Sequence, residues 1–307
     1  MIIISGLKRR ASAPEPEAEA RVKGQISRVG RSKYKGRTRH KKAATMTYDT
    51  IVLHKENSVA RLTLNRPDAA NGMNLKLMQE LADAAHACVA DQDVRAMLLS
   101  GNGRFFSAGG DLQSFASDID AMPRLLNELT MYLHTAVSRL ARAKFPVIAA
   151  VNGPCAGAGM SLACACDYVL AAESASFTMA YTAAGLSPDG SSSWYLPRRI
   201  GELRTRELML TNRKLSAAEA VAWGLANRVV ADEELMAEAE KLALKLASGP
   251  TLAYGRVKTL LNDTFSHGLE TQMELESGNI SGAAKSEDAI EGITAFLQKR
   301  KAEFKGR

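Results

Sequence analysis

Two rhythms of apolar residues alternate along this chain. Residues 51–53 and 59–64 carry apolar side chains in short runs and predict the strands of a hairpin turning near Glu56 and Asn57. Residues 65–74 include Pro67 and read as a loop. From 75 to 89 the apolar positions recur every three or four residues, the spacing of a half-buried helix. A short buried strand is expected at 96–100, a turn at 101–104, and a new apolar element from Phe105. Further on, the pattern predicts a long amphipathic helix over 123–143 and a strand over 145–151. Pro146 stands near the start of that strand, where a missing N–H costs least. An apolar helix near 157–165 and a strand at 168–171 follow, and 234–300 is predominantly helical. Strands separated by helical patterns predict an α/β domain. The helical end predicts a smaller second unit, giving a core at 46–245 and a helical region at 246–307.

Charge changes the picture of the N-terminus. Residues 1–45 hold thirteen Lys or Arg against three Glu, a net of +10, so 46–307 carries −3 of the overall +7. The basic character therefore belongs to the first 45 residues, which show neither helical nor strand period and read as a disordered basic extension. Tyr34 alone gives too little aromatic interleaving to favour nucleic-acid contact, and Glu15, Glu17 and Glu19 argue against a targeting sequence. Met46 directly precedes the first regular pattern, and a start there would account for the extension. No apolar run reaches 18 residues, so no membrane-spanning helix is expected and the chain reads as cytoplasmic. Cys88, Cys155, Cys164 and Cys166 lack zinc spacing and read as buried free thiols. His40, His54, His86 and His267 form no metal set, and no metal is assigned.

Two glycine loops carry the candidate chemistry. The first is FSAGGDL at 106–112, where small residues let a ligand approach the backbone and Asp111 can accept local N–H bonds. The second is NGPCAGAGMSL at 152–162, between a buried strand and an apolar helix. Unpaired backbone donors at such a helix start suit an anion or a developing oxyanion. The glycines do not follow the dinucleotide-binding spacing, and no Gly-Lys-Ser/Thr makes a Walker loop.

These loops, in this order and separation, resemble the crotonase family, the enoyl-CoA hydratases and isomerases. The run PVIAAVNGPCAGAGMSLACACD at 146–167 carries most of the likeness, supported by ELMLT at 207–211, EAVAWGL at 219–225 and GITAF at 292–296. The resemblance covers roughly 48–304. It implies an α/β crotonase (ClpP-like) ββα-superhelix with a C-terminal helical region that closes the site and makes trimer contacts. It also implies an acyl-CoA substrate, with coenzyme A as the carrier part and no prosthetic group, and a homotrimer or dimer of trimers. The backbone N–H groups of Gly110 and Ala158 match the family's oxyanion donors.

The same likeness exposes a departure. Hydratases of this family use two glutamates as acid and base, and the matching positions here are Ser161 and Tyr181. Tyr181 can bond a substrate or line the pocket. A carboxylate is available at Asp189, in GLSPDGSSS at 185–193, where its plain role is a helix N-cap. Several isomerases of the family carry an acid at this position, so the resemblance implies that Asp189 moves a proton between two carbons of the acyl chain. In the related aromatic acyl-CoA dehalogenases, a histidine matching His134 activates water and an aspartate matching Asp189 attacks the ring. Enoyl-CoA isomerisation is therefore the leading expectation. Hydration or another lyase reaction, dehalogenation or hydrolysis, and a non-catalytic CoA-binding scaffold stay open. For the carrier, the resemblance points to Ala69, Ala70 and Gly72 near adenine, to Ala108, to Lys258 near a phosphate, and to Phe296 and Lys299 from a neighbouring subunit. Arg61 is a further phosphate candidate. Phe106 and Met179 read as pocket walls, Trp194 as packing behind the site, and the pocket's shape as set by the region 115–126.

Overall fold

In this computed structural model, residues 44–307 are the described part of the chain. The chain opens with β1 (Ala44–Thr47), β2 (Ile51–Glu56) and β3 (Val59–Leu64), followed by α1 (Leu75–Ala90) and β4 (Ala96–Gly101). Next come α2 (Leu112–Ala116), α3 (Met122–Ala141), β5 (Val147–Val151), β6 (Pro154–Ala156) and α4 (Ala158–Cys164). β7 (Tyr168–Ala172), β8 (Ser176–Thr178), α5 (Ser192–Ile200), α6 (Glu202–Thr211) and β9 (Leu215–Ser216) form the next stretch. The rest is α7 (Ala217–Trp223), β10 (Arg228–Val230), α8 (Leu235–Ala247), α9 (Thr251–Asp263), α10 (Leu269–Ala283) and α11 (Glu287–Leu297).

Seven strands form one sheet in the order β1-β2-β3-β4-β5-β7-β10. Its first pairs are antiparallel and the pairs from β3 onward are parallel. The predicted hairpin turns at Asn57 and Ser58, both at positive φ, which matches the twist of the strands they join. β5 is buried along its whole length, as its unbroken apolar run requires. On one side α8 packs against β4, β5 and β7, and elsewhere α1 packs along α3. Asn74 caps α1 by accepting the Leu77 N–H at 3.0 Å.

Several expectations need correction. Ala44 and Thr45 belong to the sheet rather than to the extension, because β1 pairs along β2 from Ala44 opposite Lys55. The remainder of the expected extension, His40 included, lies outside the described residues. The second sheet, β6-β8-β9, was not anticipated. Its strands have two or three residues each, too few to display a period.

The four cysteines are free and buried, and burial pushes the Cys88 and Cys164 thiols up to about 11. At the C-terminus, Asp288 accepts the N–H groups of Lys305 and Gly306 at 2.6 and 2.8 Å, folding the last residues back onto α11. No described helix is long and apolar enough to cross a membrane.

Lys258 has a structural position. Its ammonium is buried and donates to Asp167 at 2.6 Å and to the carbonyls of Leu140 and Phe145 at 2.9 and 3.0 Å. Burial raises the Asp167 pKa, and the neighbouring ammonium opposes that rise. Lys258→Met strands this carboxylate and should lower unfolding stability by several kcal/mol, on the order of 3. A raised carboxylate pKa means that the folded state holds the proton more tightly. The loss measured by denaturant titration should therefore be smaller in mildly acid than in mildly alkaline buffer. A loss that does not depend on pH excludes Asp167 as the stranded group.

Candidate active site

The site is built where two neighbouring parallel strands end. β4 and β5 lie side by side, Met97 opposite Val147 through Leu99 opposite Ala149, so the chain leaves both at the same edge of the sheet. The two glycine loops begin there and are tied together. Ser107 N–H donates to Pro154 O at 3.3 Å, and Ala156 N–H to Ser107 O at 2.8 Å. Gly109 sits at φ +95°, and a Cβ on it would lie 2.9 Å from Ala156 O and 3.3 Å from Ala158 N. Only glycine permits that approach, which brings the two loops to one cavity.

Gly110 and Ala158 both line this cavity of about 280 Å³. Ala158 is the first residue of α4, so its N–H has no acceptor within the helix. Among the described residues neither the Gly110 nor the Ala158 N–H has a hydrogen-bond acceptor. Asp111 holds the first loop from below: its side chain accepts the Ser114 N–H at 3.3 Å and pairs with Arg66 at 3.0 Å. The other walls are mainly apolar, with Met73, Met78, Leu112, Phe115, Leu126 and Leu129. Phe115 and Leu126 bear out the expectation that 115–126 shapes the pocket. Phe106 and Met179 do not line it; both are fully buried core residues.

Asp189 lines the same cavity. It does not act as a side-chain cap, because the N-cap of α5 is Ser191. Its carboxylate instead meets His134, with Nε2 and Oδ1 2.6 Å apart. Gly190 and Ser191 both take positive φ and turn the chain sharply after Asp189.

The Asp189 main-chain carbonyl collects three hydroxyls. Ser161 Oγ lies 2.7 Å away, Ser192 Oγ 3.0 Å and Tyr181 Oη 3.2 Å. Ser161 has one proton, and its shortest contact directs that proton to Asp189. Tyr181 Oη stands 3.0 Å from Ser161 Oγ and 3.2 Å from the Asp189 carbonyl oxygen, so its single proton is shared between these two acceptors. Burial pushes the Tyr181 phenol well above its ordinary pKa, which keeps it a protonated donor. Ser161 and Tyr181, the positions that the family resemblance matches to the hydratases' glutamates, thus carry hydroxyls that reach the backbone of a third residue. Reading the sequence did not find Ser192: a serine in a Ser-rich turn gives no local sign of its partner.

The remaining candidates are scattered. Ala108 lines the cavity, and its N–H donates to Ala70 O at 2.9 Å, linking the first loop to the Ala69–Gly72 turn. In that turn the Gly72 N–H donates to Ala69 O at 2.8 Å. Lys258 is not brought to the cavity, and Arg61 is paired with Glu240. Phe296 and Lys299 are exposed near the C-terminus, away from the cavity lining. Trp194 lines a second, more polar cavity of about 540 Å³ on the far side of Asp189, with Arg198 stacked 3.9 Å from its ring. Among the described residues no group of three or more His, Cys, Asp or Glu side chains could hold a metal ion.

The chain is similar in sequence and in fold to known proteins. A sequence model described as enoyl-CoA hydratase/isomerase matches residues 54–307. A 1,2-epoxyphenylacetyl-CoA isomerase of Escherichia coli is 41% identical over 258 residues, which is 84% of this chain and 98% of that protein. A 4-chlorobenzoyl coenzyme A dehalogenase of an Arthrobacter species is 34% identical over 253 residues, 81% of this chain and 91% of that one. The crystal structure of an enoyl-CoA hydratase from Polaromonas superposes with a TM-score of 0.79 at 32% identity, covering 83% of this chain and 99% of that one. The architecture is therefore the crotonase ββα-superhelix with C-terminal helices.

Proposed function

The chain belongs to the enoyl-CoA hydratase/isomerase family, and within it we propose that it isomerises the double bond of an enoyl-CoA thioester with Asp189 as the acid/base. One observation carries this reading: Asp189 lines the same cavity as Gly110 and Ala158; the family resemblance adds that Ser161 and Tyr181 match the positions of the hydratases' two glutamates.

The thioester oxygen sits against the two N–H groups. Asp189 takes a proton from C2, and the electron pair of that C–H bond spreads into a dienolate. Negative charge collects on the thioester oxygen, where the two donors stabilise it. Asp189 then delivers a proton to C4, and the double bond comes to lie between C2 and C3. One carboxylate suffices because it acts in turn as base and acid. The mainly apolar walls suit an acyl chain or a ring. Coenzyme A lies along the Ala69–Gly72 turn and Ala108, with Phe296 and Lys299 contributed by a neighbouring copy in a homotrimer or dimer of trimers. The exposed apolar residues Ile293, Phe296 and Leu297 on α11 support that assembly. The printed name of the E. coli relative, an isomerase, supports the reaction type.

A second reading, dehalogenation of an aromatic acyl-CoA, is favoured by the His134–Asp189 contact together with the Arthrobacter relatives. The test is a mass-resolved assay in heavy water. Its panel holds 2- and 3-enoyl-CoA thioesters, 1,2-epoxyphenylacetyl-CoA and 4-chlorobenzoyl-CoA. Double-bond migration with no gain of water is the expected result. A mass gain equal to water turns the assignment to hydration, and chloride release turns it to dehalogenation.

A further inference from the structure

Asp189 stands in the wall between two cavities. On one side is the mainly apolar pocket with the two N–H donors. On the other is the more polar cavity, which His134 lines together with Ser138, Asn262 and Asp263. His134 does not line the first pocket. Its side chain is 55% exposed, whereas that of Asp189 is 27% exposed, and their heavy atoms are 2.6 Å apart. Asp189 therefore borders the apolar pocket as well as the polar cavity, and its carboxylate touches an exposed imidazole. A single acid/base that moves a proton from C2 to C4 needs no second group to complete the transfer, so the role of this histidine calls for a separate account.

We propose that His134 and the polar cavity behind it form a proton outlet that exchanges the proton held by Asp189 with solvent during the lifetime of the dienolate. This rests on the isomerase reading above. The C2–H bond breaks and its proton forms the Asp189 carboxylic acid. That acid passes the proton to the bare Nε2 of the neutral His134 imidazole, whose own ring proton then stands on Nδ1, leaving carboxylate and imidazolium. The exposed imidazolium exchanges its ring protons with water and returns a solvent-derived proton to Asp189, which forms the C4–H bond. Charge and proton number are unchanged over the cycle; only the origin of the proton differs. With the outlet blocked, the substrate's own proton is carried from C2 to C4.

The isotope content of the product reads this directly and does not depend on rate. The experiment uses the full-length enzyme and 3-enoyl-CoA in heavy water, with protium or deuterium at C2, and measures the label at C4. Wild type should incorporate mainly solvent deuterium. His134→Gln keeps a polar contact to Asp189 but cannot carry a proton, and should shift C4 toward the substrate's own hydrogen, with retention rising several-fold. His134→Phe should do the same. Retained solvent exchange in both variants overturns the proposal, as does a wild type that already transfers its own proton. Loss of all turnover in His134→Gln also overturns it, because an outlet is not needed for transfer. Failure of the isomerase reading looks different: wild type then moves no double bond in any thioester.

Discussion

Asp189→Asn is expected to lower kcat for isomerisation by about 10²–10⁴-fold, the usual contribution of a positioned acid/base. The amide keeps the shape of the carboxylate but cannot take the C2 proton. KM should change little, since in the proposed mechanism the thioester is held by backbone groups at Gly110 and Ala158 and the acyl chain by the apolar residues that line the cavity. The fold should also persist. The loop is anchored through the Asp189 main-chain carbonyl, which Ser161, Ser192 and Tyr181 hold whatever the side chain is. Thermal unfolding and kinetics on the same preparations check both halves of the prediction. A variant that unfolds at the wild-type midpoint and still turns over at the wild-type rate removes Asp189 from the chemistry.

That anchoring also marks where sequence reading reached its limit. The glycine loops were legible because Gly109 and Gly157 occupy positive φ, Gly109 at a close backbone contact as well, a demand that leaves small residues in the sequence. The hairpin was legible because β2 and β3 are long enough to carry a pattern. By contrast, the contacts that define the site join distant residues: Ser161 and Asp189 are 28 positions apart, His134 and Asp189 55. No local period encodes such a meeting. The same holds for Lys258, which looks like a helix-surface cation until Asp167, 91 positions away, is seen beneath it. The absence of glutamate at Ser161 and Tyr181 was legible, but the purpose of the residues present was not. Both hydroxyls reach the main-chain carbonyl of Asp189.

Ala158→Pro should cost about 10²–10³-fold in kcat, the range seen when one oxyanion donor is lost, or about 2.7–4 kcal/mol of transition-state stabilisation. The substitution fits the local structure. Ala158 is the first residue of α4, where proline is well tolerated because the N–H has no helical partner and the fixed φ suits a helix start. The preceding residue is Gly157, whose missing side chain relieves the crowding that proline imposes on its neighbour. The N–H is thus removed from the cavity with the helix kept. The proline ring also places a carbon where the proton pointed, so part of the loss is steric. Ala158→Gly separates the two contributions: it keeps the N–H, adds no bulk, and should stay within a few-fold of wild type. If the proline variant keeps wild-type kcat while its ring is in place, the thioester oxygen is not bound at Ala158. The donor pair would then have to be sought elsewhere along the loop that holds Gly110.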